Sequence, residues 1–121
     1  MATPEGAILK QILDYLVTKH VLAFRMNTGA MQSEHNGKKR FMRFGTPGMA
    51  DILAFIPRDG WWYSEDMPSI LKPGLMQEVT WIECKAPKGR QSELQKSFQA
   101  QVEAEGHKYI LAFSSDDLEE L

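Results

Sequence analysis

Cysteine, net charge and long apolar runs are what this chain of 121 residues has least of. A single cysteine, Cys84, excludes an intrachain disulfide and, with only His20, His35 and His107 beside it, leaves no spacing that resembles a zinc site. Such usage fits a reducing compartment. No apolar run approaches the roughly 20 residues of a membrane span, and the opening MATPEGAILKQ has no basic start followed by an apolar stretch. A soluble, cytoplasmic protein with no membrane partner is expected. With 14 Lys plus Arg against 16 Asp plus Glu the formal charge is −2 and the pI about 5.9, so any nucleic-acid contact must come from local patches. Hydrophobic residues at 43% and charged residues at 25% exclude a disordered or fibrous chain, and the length fits one domain, residues 1–121.

Thr3, Pro4 and Glu5 read as a helix start: a hydroxyl cap, a proline at the first helical position and an acid near the positive end of the dipole. Ile8, Leu9, Ile12, Leu13 and Leu16 then recur at helical steps to about Lys19, and Glu5 lies on the same face. Val21 to Met26 reads as a strand. Residues 27–48 are polar and basic, a loop or hairpin carrying Lys38, Lys39, Arg40 and Arg43 with no acid between Glu34 and Asp51. Met49 to Ile56 is an apolar strand, interrupted by Asp51 and stopped by Pro57. An irregular stretch to Glu78, with Trp61, Trp62 and Tyr63, precedes a third strand, Val79 to Ala86. Ser92 opens a second helix with an apolar line of Leu94, Phe98 and Val102, closed by Gly106; Tyr109 to Phe113 is the last strand, and Ser114 to Leu121 a short capped helical end. The order predicts an α/β fold, a mixed β-sheet flanked by helices.

Residues two apart in a strand face the same side, so Glu83 and Lys85 are neighbours, while Cys84 points into the core. Asp51 sits in a sequential strand expected to lie beside this one. A carboxylate buried among Ile52, Leu53 and Phe55 without compensation costs several kcal/mol, on the order of the penalty for isolating a charge from water. A divalent ion compensates it, and carboxylates, water and a carbonyl are the hard oxygen ligands that Mg²⁺ or Mn²⁺ prefers. Lys85 beside them is suited to orient a water or offset charge in a transition state. The simpler alternative is an Asp51–Lys85 salt bridge with Glu83 in solvent.

The string GTPGMAD followed about 30 residues later by IECK resembles the PD-(D/E)xK nuclease signature, and KGRQSELQKSF is similar to its VRR-NUC branch, the virus-type replication-repair nuclease domain. FRMNTGA resembles the strand and turn before that branch's catalytic hairpin, and Gly106 with YILAFSS its closing helix and strand, so the likeness covers nearly the whole chain. Pro47 precedes Asp51 by four residues rather than adjoining it, a departure that occurs within the branch. The resemblance implies a restriction-endonuclease-like fold with an α-β-β-β-α-β core. It implies Asp51 and Glu83 as metal ligands, the Cys84 backbone carbonyl as a third, Lys85 as the water-positioning base, Gln95 as an accessory and Glu5 as a completing acid. The activity implied is metal-dependent hydrolysis of DNA, with single-domain members resembling junction resolvases that cut four-way or branched DNA in replication, repair and recombination.

Each assignment has a simpler counterpart. Ser92 and Gln95 form a capping box whether or not Gln95 reaches the site, and Glu5 stabilises the helix dipole in any case. Arg25, Asn27, Lys38, Lys39, Arg40, Arg43, Lys88 and Arg90 are the candidates for DNA phosphates, against a merely solvated surface. Trp61, Trp62 and Tyr63 suit packing on the sheet, base stacking or a subunit contact. A chain with no appended recognition domain is expected to act as a homodimer, two sites matching a two-fold substrate. The rival readings are a non-catalytic DNA-binding or assembly module with the same fold, and a sequence-specific restriction-type enzyme reading bases through residues 28–48 and 57–78.

Overall fold

The computed structural model describes residues 3–26, 29–35, 37–44, 46–63 and 71–119, the side chains of 29–35, 39–44, 60–63, 71–73 and 75 excepted. Helix α1 (Pro4–Thr18) starts as the sequence predicts, with the Thr3 hydroxyl accepting from the Gly6 amide at 2.9 Å. It ends in a Schellman arrangement: the His20 amide donates to Val17 and the Val21 amide to Leu16, with His20 at φ 59 in the left-handed position. Strand β1 (Leu22–Arg25) follows, then β2 (Gly29–His35) and β3 (Lys38–Phe44), β4 (Ile52–Tyr63), β5 (Leu71–Cys84), α2 (Glu93–Ala104), β6 (Lys108–Ala112) and a 3-10 turn (Ser115–Leu118). No helix among the described residues is long and apolar enough to cross a membrane.

The main sheet has the order β1-β4-β5-β6; β4 is antiparallel to β1 and β5, and β6 runs parallel to β5 after the crossover through α2. This is an α/β arrangement, a mixed four-stranded sheet between helices. β2 and β3 form a separate antiparallel hairpin, so residues 27–48, open between loop and hairpin in the sequence, contain a hairpin.

Alternation divides the sheet's faces. Ile52, Ala54 and Ile56 of β4 with Ile82 and Cys84 of β5 turn toward α1, where they close a fully buried core with Ile12, Leu16, Ala112 and Leu118. Each buried Ile or Leu there contributes on the order of 2 kcal/mol. On the opposite face α2 covers Trp81 and Tyr109 with Phe98 and Val102, the Trp81 ring standing edge-on to Phe98 at 5.0 Å. The Trp81 indole also donates to His107 Nδ1 at 3.0 Å. Leu94, expected in the same apolar line, is instead 58% exposed, because the first turn of α2 lies over the loop before β4 rather than over the sheet.

Residues 57–63 and 71–78, expected to be irregular, are strand: β4 runs on to Tyr63 and β5 begins at Leu71, Pro57 pairing with Gln77 and Tyr63 with Leu71. Pro57 is tolerated for a stereochemical reason. The Asp51 carbonyl faces β1, accepting from Met26 at 2.7 Å, and the two-residue repeat turns the Pro57 nitrogen to the same side. β1 starts opposite Phe55, so no ladder partner there requires an N–H from residue 57. The side chains of Trp61, Trp62 and Tyr63 lie outside the described residues.

Candidate active site

The register that aligns Ile52 with Ile82 carries Asp51, one residue before β4, opposite Glu83 near the end of β5, on the face covered by α2. Their placement is held by backbone. The Cys84 amide donates to Asp51 Oδ2 at 2.8 Å, fixing that carboxylate across the gap between the strands. Thr46, Pro47, Gly48 and Met49 form the preceding turn, closed by the Met49 amide on the Thr46 carbonyl at 3.0 Å, with Gly48 at φ 83. Proline second and a positive φ third make it a type II turn. A Cβ on Gly48 would fall 2.3 Å from the Leu94 carbonyl oxygen, so the loop seats directly on the first turn of α2. Proline followed by glycine is a turn signal in any sequence, whereas the seat against α2 comes only from packing.

Glu83 is the unusual group. It is 1% exposed, and Oε2 has no hydrogen-bond partner. Its other oxygen accepts from Gln95 Nε2 at 2.8 Å. Gln95 at the same time accepts from the Ser92 amide through Oε1 at 2.9 Å, while Ser92 Oγ accepts from the Gln95 amide at 3.1 Å. Capping box and site contact are therefore one arrangement, and the two alternatives posed by the sequence are both met by a single amide. Glu5, in the first turn of α1 beyond the end of β5, supplies a third acid: one carboxylate oxygen each from Glu5, Asp51 and Glu83 lie within 4.8 Å of one another. Lys85 Nζ stands 3.9 Å from both Glu5 Oε1 and Glu83 Oε1. The isolated Asp51–Lys85 bridge with Glu83 in solvent is not the arrangement found, since Glu83 is the most buried of the acids.

Burial pushes the Glu83 carboxyl up to about 8; Asp51 adds to it, by its charge and as a hydrogen-bond acceptor for the protonated form, Lys85 opposes it and Glu5 adds a little more. The largest cause is loss of water around Glu83 itself, and the excess of acid over base adds to it, since one ammonium faces three carboxyls. A divalent cation fits this donor set on two counts. Hard carboxylate oxygens converge from three separate elements, and one of them, Glu83 Oε2, is buried with its lone pairs unused. The Cys84 carbonyl suits the same purpose, because backbone alternation turns it to the side on which its amide meets Asp51. Burial, with the nearby acids, pushes the Cys84 thiol up to about 12, keeping it protonated and inert as expected.

The expected phosphate-binding residues are scattered around this centre. Arg25 is exposed, and its pairing with Ile52 places it on the α1 face, opposite Asp51 and Glu83. Lys88 and Arg90 are exposed just after the Glu-x-Lys strand, and Lys38 is exposed at the start of β3. Asn27 and the side chains of Lys39, Arg40 and Arg43 lie outside the described residues. No protein-family model, no curated protein and no solved structure matches this chain.

Proposed function

We propose that this chain is a divalent-metal-dependent DNA endonuclease, with a restriction-endonuclease-like core and a site of the PD-(D/E)xK, VRR-NUC type. The observation that carries the reading is Glu83: a buried carboxylate, one oxygen unpartnered, within 4.8 Å of the carboxylates of Asp51 and Glu5 and beside Lys85. A purely structural ion pair would leave no acceptor idle and would not gather three acids around one ammonium.

In this reading Asp51, Glu83 and the Cys84 carbonyl hold Mg²⁺ or Mn²⁺, with Glu5 completing the set. When bound, the ion supplies Lewis acidity and neutralises phosphate charge. The chain's own groups do the rest. Gln95 fixes the Glu83 rotamer through its amide, and the Cys84 amide fixes Asp51. Lys85, held between Glu5 and Glu83, donates to the attacking water and then to the negative charge that builds on the phosphoryl oxygens. Water gives up a proton to solvent as it adds to phosphorus in line, the P–O3′ bond breaks, and the leaving O3′ takes a proton from solvent, so the products are a 5′-phosphate and a 3′-hydroxyl.

Branched or four-way DNA is the proposed substrate, and a homodimer the proposed working form, since two sites related by a two-fold axis suit a two-fold junction. An apolar strip on the part of the sheet that α2 leaves uncovered supports contact between copies: Leu22 is 61% and Phe24 49% exposed, with Phe55 edge-on to Phe24. Among the described residues it bears no Lys or Arg for DNA.

The test is cleavage of an immobile four-way junction and of linear duplex of the same sequence in Mn²⁺, by the wild type and Lys85→Ala. Expected are preferential cutting of the junction, and loss of cleavage with retained binding in the variant. Equal cutting of both substrates refutes the shape preference, and unchanged cleavage by Lys85→Ala refutes the mechanism. DNA binding without cleavage in either metal favours the non-catalytic module.

A further inference from the structure

Two residues other than glycine occupy the left-handed region among the described residues, His20 and Lys88. His20 is explained by the end of α1, whose Schellman hydrogen bonds require that conformation. Lys88 has no helix to end. It is the third residue of a turn, Ala86-Pro87-Lys88-Gly89, closed by the Gly89 amide on the Ala86 carbonyl at 2.8 Å, with Lys88 at φ 69. Proline second and a positive φ third again define a type II turn, whose third position ordinarily takes glycine or asparagine.

The same molecule contains the comparison. Thr46-Pro47-Gly48-Met49, just before Asp51, is built on the same plan, with glycine at the left-handed position. At Ala86–Gly89 the chain places a long cationic side chain where its own parallel turn has none, and glycine comes one residue later. The turn is folded tightly against the site: a Cβ on Gly89 would stand 3.3 Å from the Cβ of Lys85. Lys88 is exposed and makes no ion pair among the described residues. Strain held at one position without a structural return points to a role outside the fold.

Electrostatics says which role. The cluster that Lys85 serves carries three carboxyls to one ammonium, so a polyanion approaches a locally acidic centre. Even after a divalent ion is bound, phosphates on either side of the reacting one meet no compensating charge from the cluster. A cation on a hydrogen-bonded turn packed against Lys85 supplies that charge at small entropic cost, because the backbone beneath it is already fixed.

We propose that Lys88 is a phosphate-anchoring residue, its left-handed turn, three residues after Lys85, presenting the ammonium to a DNA backbone phosphate flanking the one to be cut. This rests on the nuclease reading above, and it makes Lys88 a positioning residue rather than a catalytic one.

Lys88→Gly tests it, because the substitution removes the charge and relieves the backbone together. Expected is a variant whose Tm is about 2–4 °C higher than wild type and whose affinity for a four-way junction, measured with Ca²⁺ in place of Mg²⁺, is about five- to tenfold lower. The slope of log K against log salt should fall by about 0.9, one phosphate contact. In Mg²⁺, KM for the junction should rise more than kcat falls. Lys88→Arg should restore both affinity and slope. A Lys88→Gly variant with wild-type affinity and salt slope overturns the proposal while leaving the nuclease reading intact. So does a Lys88→Arg variant that fails to restore them. Wild-type protein that neither binds nor cuts the junction overturns the nuclease reading and this proposal with it.

Discussion

Replacing Glu83 by glutamine should make the metal-free protein more stable than wild type above neutral pH and abolish its response to divalent ions. Glutamine keeps the shape, preserves an acceptor for Gln95 and puts an amide donor where the unpartnered Oε2 now sits. The magnitude follows from linkage. The carboxyl is pushed up to about 8 from its ordinary 4.5, so the folded state holds its proton through a range in which the unfolded chain has released it. The wild type therefore enjoys full stability below the unfolded value and loses it as pH rises toward and through 8. Between pH 5 and 8 the loss is on the order of 3–4 kcal/mol, which for a chain this size is about 10–15 °C in Tm. Glu83→Gln has no such proton to lose, so the two Tm curves should nearly coincide at pH 5 and diverge by about that amount at pH 8. Adding Mn²⁺ at pH 8 should raise Tm for the wild type alone, because an ion that binds only the folded state stabilises it by mass action. Differential scanning calorimetry on both proteins across pH, with and without Mn²⁺, decides. Parallel curves from pH 5 to 8 would mean that Glu83 is neither isolated nor short of a partner, and an equal response of the variant to Mn²⁺ would remove it from the ion's coordination.

Three further outcomes test the scaffold around the acids. Gly48→Ala should cost about 3 kcal/mol or more, since the new Cβ meets the Leu94 carbonyl and φ is 83; chemical denaturation measures it, and a loss under 1 kcal/mol contradicts the seating of the loop on α2. Gln95→Ala removes half of the capping box and the only described hydrogen bond to Glu83, so it should cost about 1–2 kcal/mol and reduce cleavage far more than DNA binding. Equal losses in both assays would leave it a helix cap alone. Cys84, fully buried with its thiol pushed up to about 12, should resist an aromatic disulfide reagent at pH 8 in the native protein and react at once in denaturant.

Much of this architecture can be read from the chain before any coordinates are known, and the reasons differ by element. Thr3, Pro4 and Glu5 announce α1 because cap, proline and acid act within one turn. The convergence of Asp51 with Glu83 and Lys85 follows from the two-residue repeat and from sequential strands pairing, both local rules. The long β4–β5 pairing was concealed because Pro57 and the turn residues beyond it argue against a strand unless one knows which edge lacks a neighbour, a property of the whole sheet. Leu94 was misassigned for a similar reason: periodicity gives the apolar face of a helix, and only packing decides how far along that face the sheet extends. The joint role of Gln95 was open because one amide has both a donor and an acceptor end, and sequence alone does not say that both are used.

Pro57 also bears on how the protein avoids its own kind. Past Phe55, β4 presents a margin that no described strand occupies on the side once bordered by β1, and such a margin is where stray extended peptides add and fibrous growth begins. A pyrrolidine ring at the first open position breaks the rhythm of that margin, making it a poor template just where the sheet would otherwise be easiest to lengthen.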